Sequence, residues 1–126
     1  MRKNSSRMKP NFSKHVSEPW YSLIKAGVKT AEGRLNKGDF AQMKIGDIVE
    51  WFNTEGSKKK SFLTRIVGIN HYHSFDAMIR GERLKNTLPL SSIRTINQGV
   101  EEVYYKYYTP EDERKYGIVA IQLEVV

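Results

Sequence analysis

The segment Gly27-Val28-Lys29-Thr30-Ala31-Glu32-Gly33-Arg34 brings an ammonium, a hydroxyl, a carboxylate and a guanidinium together within eight residues. Side chains alternate on a strand, so Thr30, Glu32 and Arg34 are expected on one face, with Lys29 at the loop-to-strand junction able to curl over either side. Three hydrophilic groups beside a glycine are expensive to bury, which implies a wet groove or a satisfied ion network. A Glu32–Arg34 pair clamping a helix onto a sheet is the structural version of that network. As a binding site, the same groups would let Glu32 accept from an exocyclic amine while Lys29 and Arg34 hold phosphate. Trp20, Trp51, Tyr72 and Phe75 would then supply stacking faces for an unstacked base. As a catalytic site, a partly buried Lys29 with a lowered pKa would act as base, with Glu32 shuttling the proton and Thr30 or water attacking an acyl group.

Other chemistries are narrowed by composition. The chain of 126 residues has no Cys, which removes disulfides, thiolate zinc sites, iron–sulfur clusters and a Cys nucleophile together. His71 and His73 could share a strand face, but two ligands fall short of a zinc site, so no metal and no cofactor is expected. Phosphate loops, nucleophile elbows and dinucleotide fingerprints are missing from the sequence. No apolar run approaches the roughly 20 residues of a membrane span, and the basic opening has no apolar stretch for a signal peptide. A cytoplasmic or nuclear protein without membrane partners is the expectation. The net charge of +7 is concentrated at the start: residues 1–15 carry five Lys or Arg and no acid, leaving +2 for residues 16–126. That opening reads as a basic, disordered tail able to add salt-sensitive affinity for a polyanion, ahead of one domain over residues 16–126. The weak charge of the body also suits a domain whose partners are other proteins.

The elements that must position the charged segment can be read from periodicity and caps. Ser17 as N-cap, Pro19 in the first turn, Trp20, Leu23 and Ile24 on one face and Gly27 at the end predict a short helix. Residues 28–35 read as the charged strand. Residues 48–52 and 61–73 read as an antiparallel pair, with Lys58-Lys59-Lys60 at the hairpin tip and Gly68 at a bulge. Ser74 caps a helix over 75–84. Val100, Val103, Tyr104, Tyr107 and Tyr108 recur at helical spacing and predict a packing helix, with Tyr105 on its polar side. Thr109 and Pro110 open another helix that stops at Gly117, and 118–126 is an apolar strand expected to lie inside the sheet. Together these describe an α+β domain built on a small, mostly antiparallel β-barrel with flanking helices.

The charged segment resembles the G-x-K-T-x-E-x-R signature of the ASCH domain family, PUA-like barrels named for activating signal cointegrator 1 homology. Ile45 to Phe52 is similar to that family's G-D strand, and Tyr72-His73-Ser74-Phe75-Asp76-Ala77-Met78 to its Y-x-S-F-x-x-M junction. Leu88-Pro89 resembles an L-P turn, and Gly99 to Tyr108, Glu111, Glu113 and Tyr116 to Ile121 resemble the closing block, so the likeness spans residues 16–126. It implies a PUA-like barrel and partners among RNA, single-stranded nucleic acid, modified nucleosides or coactivator assemblies. One bacterial branch removes the acetyl group from N4-acetylcytidine with a Lys, a Thr and a Glu. Its Lys aligns with Lys29, while the position of its Thr holds Glu32, which leaves Thr30 as the available hydroxyl. An amidohydrolase using Lys29, Thr30 and Glu32 is therefore the alternative to a nucleoside- or RNA-binding module using Lys29, Glu32, Arg34, Trp20, Trp51 and Tyr72.

Overall fold

The computed structural model describes residues 8–126. Five strands form one curled sheet, a half-barrel, in the order β1-β3-β4-β5-β2. The strands are β1 (Phe12–His15), β2 (Ala31–Leu35), β3 (Ile48–Asn53), β4 (Lys60–Tyr72) and β5 (Ile118–Val125). The helices are α1 (Trp20–Lys25), α2 (Phe75–Glu82), α3 (Leu84–Thr87), α4 (Ile96–Glu102) and α5 (Pro110–Tyr116). All neighbouring strands pair antiparallel except β1, which runs parallel to β3. Strands β1 and β2 are the free edges.

Strand β5 shows why its sequence is apolar almost throughout. Val119, Ile121 and Leu123 enter one core with Tyr21, Ile24, Val49, Trp51 and Ile66, and Ile118 and Ala120 enter a second with Phe75, Met78, Ile79 and Val100. A strand buried on both faces has no polar face to display. The register shift in β4 falls between Ile66 and Gly68, at the expected bulge. Ser74 and Thr109 cap α2 and α5, accepting from the Ala77 and Asp112 N–H groups.

Four local expectations change. Phe12–His15, placed in the basic tail by composition, is the edge strand β1: its backbone pairs with Val49 to Phe52, a partner far along the chain that local composition does not reveal. Arg2, Lys3 and Arg7 of that opening lie outside the described residues. The first helix begins at Trp20 with Pro19 at its cap. Glu18 takes over the capping role expected of Ser17, accepting from the Ser22 N–H at 3.1 Å and the Ser22 hydroxyl at 2.7 Å. The charged strand begins only at Ala31, because the N–H groups of Val28 and Lys29 both donate to the Leu23 carbonyl and close off α1. The helix expected over 100–108 is α4, capped earlier by Thr95 and ended at Glu102, followed by a 3-10 turn over Tyr104–Lys106.

Candidate functional site

Strand β2 is an edge, and its pairing with β5 determines what it shows to the gap. Leu123 N–H donates to the Thr30 carbonyl just before β2, which sets the register so that Glu32 and Arg34 occupy the hydrogen-bonded positions of the antiparallel ladder. Ala31, Gly33 and Leu35 therefore aim their backbone N–H and C=O groups away from β5. The Ala31 carbonyl accepts from Lys29 Nζ at 2.8 Å. At Gly33 the free edge opens onto a cavity of about 190 Å³. Its walls include Glu32 and Arg34, Gly33, Trp20 and Val16 from the α1 approach, and Tyr104, Tyr107 and Tyr108 from the turn after α4.

The three charged groups of the signature meet here. Glu32 accepts from Lys29 Nζ at 3.2 Å on Oε1 and from Arg34 Nε at 2.7 Å on Oε2. Burial alone would raise the Glu32 pKa, but the two cations and their hydrogen bonds outweigh it and hold the carboxyl below its ordinary range. Burial pulls the Lys29 ammonium below the ordinary lysine range against the attraction of Glu32. Burial also opposes charge on Arg34, and here the Glu32 carboxylate prevails and holds the guanidinium above its usual pKa. The triad carries a net single positive charge.

Donor and acceptor capacities then separate the roles. Lys29 Nζ donates to Ala31 O and Thr87 O and stands 3.2 Å from Glu32 Oε1 as an ion pair, so its ammonium is engaged within the protein. Arg34 uses Nε on Glu32 and Nη2 on the His15 carbonyl at 3.1 Å, which leaves about three of its five donors free. Glu32 retains about two of its four lone-pair directions. Tyr104 lines the same cavity, and its hydroxyl, closed to solvent, has no hydrogen-bond partner. Burial first, and then the Glu32 charge, push its pKa well up, so it stands there as a neutral donor. Its ring stacks on Phe75 at 4.3 Å.

Other expected site residues lie elsewhere. Thr30 lines a separate depression with Glu82 and Gln122. The Thr30 N–H donates to the Asn86 carbonyl just before β2 begins, so the chain turns there and strand alternation does not carry Thr30 to Glu32. Lys29, Thr30 and Glu32 thus do not line one cavity. Trp51 is fully buried with its indole N–H on Thr64 Oγ1 at 2.9 Å, and Phe75 is equally buried. Neither offers a face to a ligand. Tyr72 donates to Glu82 at 2.6 Å, away from the cavity. Trp20 does line it, with Lys29 Nζ 5.5 Å from its ring centroid. Tyr105, singled out on the polar side, donates to Glu113 at 2.8 Å. Tyr107, 61% exposed, is the tyrosine at the mouth. Helical spacing marks Tyr104 and Tyr108 as core positions, and both do pack in the second core; what it does not reveal is that the turn after Glu102 also brings them and Tyr107 to the cavity wall. Among the described residues no three His, Cys, Asp or Glu are grouped to hold a metal, and no helix is long and apolar enough to cross a membrane.

A half-barrel with an ion triad on its free edge strand, and an aromatic-walled cavity beside it, defines a small α+β domain. Residues 15–126 match the ASCH domain model, and the chain belongs to the ASCH domain family. Two solved structures are similar over nearly their whole length. One is the crystal structure of hypothetical protein PH0355, at 38% identity and TM-score 0.79, covering 91% of this chain and 98% of that one. The other is the solution structure of protein PF0455 from Pyrococcus furiosus, at 35% identity and TM-score 0.70, covering 91% and 96%. No curated protein matches the chain.

Proposed function

We propose that the cavity at the edge of β2 binds a planar ring bearing an amino group, a nucleobase in a nucleoside or in single-stranded RNA. The observation that carries this reading is the pairing, in one cavity, of an ionised Glu32 with open lone pairs and a buried Tyr104 hydroxyl with no protein partner. Native proteins satisfy nearly all buried polar groups, so an orphan hydroxyl on a residue that lines a cavity suits a guest that reaches it once bound. Glu32 accepts from the amino group, and Tyr104 and the free Arg34 N–H groups donate to ring nitrogen or carbonyl acceptors. At about 190 Å³ the cavity is below the roughly 300 to 1,000 Å³ of drug-sized sites, which suits one ring. In this reading Tyr107, exposed and on the cavity lining, stacks on a neighbouring base. The general association of the family with RNA agrees with this assignment.

Binding is favoured over hydrolysis because the Lys29 ammonium is held by two backbone carbonyls and paired with Glu32, and Thr30 lines another depression. A thermal-shift screen of unmodified and modified nucleosides and short single-stranded RNAs tests the proposal, since a ligand that binds the folded form raises the melting temperature. Amino-bearing bases are expected to stabilise the protein, and Tyr104→Phe to reduce the shift. A screen in which no nucleoside or RNA stabilises it would overturn the reading, and conversion of N4-acetylcytidine to cytidine would restore the hydrolase.

A further inference from the structure

The depression that holds Thr30 has a volume of about 420 Å³ and lies beside the β4 bulge, walled by Thr30, Val67, Glu82, Arg83, Asn86 and Gln122. Glu82, the last residue of α2, is 6% exposed, and among the described residues no Lys, Arg or His forms an ion pair with it. Three neutral donors from two strands hold its carboxylate. Asn70 Nδ2 at 2.8 Å and the Tyr72 hydroxyl at 2.6 Å reach Oε2, and Gln122 Nε2 at 2.9 Å reaches Oε1. Two glycines make room for this arrangement: a Cβ on Gly68 would run into the Gln122 amide, and one on Gly81 into the Tyr72 hydroxyl. A buried anion without a counter-charge is costly, and hydrogen bonds to neutral groups offset only part of that cost.

Apart from the Arg83 cation at the rim, the rest of the wall is rich in acceptors. The Asn86 amide nitrogen donates to the Glu82 carbonyl at 2.8 Å and the Gln122 nitrogen to the Glu82 carboxylate, so both side-chain carbonyl oxygens are left over. The Thr30 hydroxyl has no partner among the described residues. Oε1 of Glu82 has a further lone pair open. Arg83 at the rim holds φ 87°, a left-handed value that a side-chain-bearing residue rarely adopts, which keeps the α2 to α3 corner tight against the depression.

We propose that this depression is a second binding site, for a protonated amine or guanidinium. Glu82 neutralises the cation, and the oxygens of Thr30, Asn86 and Gln122 take its N–H groups. A free small amine and the Lys or Arg side chain of another protein share this chemistry.

The test is an amide-resolved NMR titration of the full chain with methylguanidinium, with tetramethylammonium as a control that has the charge but no N–H donor. A third arm uses an end-blocked tripeptide with a central Arg. Methylguanidinium is expected to give saturable shifts at Glu82, Asn86 and Gln122, and tetramethylammonium to bind roughly tenfold more weakly or worse for want of charge-assisted hydrogen bonds. Tighter binding of the tripeptide than of methylguanidinium assigns the site to a partner's side chain, and the reverse order to a free amine. Glu82→Gln should abolish binding. Because that variant also disturbs the α2 anchor, Thr30→Val provides the second check: its hydroxyl has no protein partner, so a folded variant with several-fold weaker binding is expected. Equal responses to both cations, shifts away from this depression, or unchanged binding in Thr30→Val would overturn the proposal.

Discussion

Arg34 donates from Nη2 to the backbone carbonyl of His15 at 3.1 Å, so a side chain on one free edge of the sheet reaches the other. The same guanidinium holds Glu32 through Nε at 2.7 Å and lies 4.8 Å from the Phe40 ring centroid. One residue therefore ties β2 to β1, orients the carboxylate and forms part of the cavity wall. A lysine cannot make two divergent planar donations, so Arg34→Lys is not conservative here. We expect it to destabilise the fold by about 1.5 to 3 kcal/mol, the range for hydrogen bonds to charged groups. Amide exchange should quicken in β1 before it does in β4 or β5; protection lost evenly across the sheet would argue against the tie.

Glu32→Gln leaves Lys29 buried with two carbonyls and no anion. Breaking a buried ion network from one side costs about 3 to 5 kcal/mol, and partial exposure of Arg34 places the expected loss at the lower end. The variant should also alter the acid limb. Glu32 is held below its unfolded pKa, so its contribution is full above the unfolded value of about 4.3 and is lost as pH falls through the folded value. Glu18 and Glu55 are lowered too, by hydrogen bonds. The quantity to measure is thus the difference between wild type and Glu32→Gln in urea stability against pH, which should narrow as pH falls below about 4.

Tyr104→Phe separates folding from binding. Removing a buried hydroxyl that has no partner should leave stability unchanged or raise it by about 1 kcal/mol, while affinity for the cavity ligand falls. A large stability loss would mean that the hydroxyl is satisfied within the folded protein.

At the alkaline end, burial together with the Glu82 hydrogen bond pushes Tyr72 to about 12, and the bond to Glu113 together with burial does the same for Tyr105. An unfolded tyrosine ionises near 10, so the unfolded chain releases these protons first and stability falls as pH rises from about 10 towards 12. Tyr72→Phe should flatten part of that fall in denaturation curves taken between about pH 9 and pH 11. An unchanged slope would place the alkaline sensitivity elsewhere.

What the sequence disclosed and what it hid divide along the range of the interactions. Ser74, Thr109, Pro110 and the bulge near Gly68 act on neighbours a few residues away, and each performs as its residue type predicts. The motif Lys29, Glu32, Arg34 also forms the expected cluster, since two of its members share a short strand. Strand β1 was hidden because a four-residue edge strand with alternating burial needs its parallel partner to exist at all. The cavity role of Tyr104, Tyr107 and Tyr108 was hidden because their spacing fits a helix packed on the core, and only the break after Glu102 lets them also wall a cavity. Trp51 was misplaced for the opposite reason: its type suits stacking on a base, but on β3, between β1 and β4, the position alternates inward into the first core.

The most direct measurement follows the Gly33 amide and the Trp20 indole N–H by NMR while cytidine, and then a short cytosine-rich single-stranded RNA, is titrated into the protein. The account predicts that these two signals shift and saturate together in wild type and respond weakly in folded Tyr104→Phe. RNA that binds while moving only signals near Lys58 and Lys59, with Gly33 and Trp20 unchanged, would contradict it.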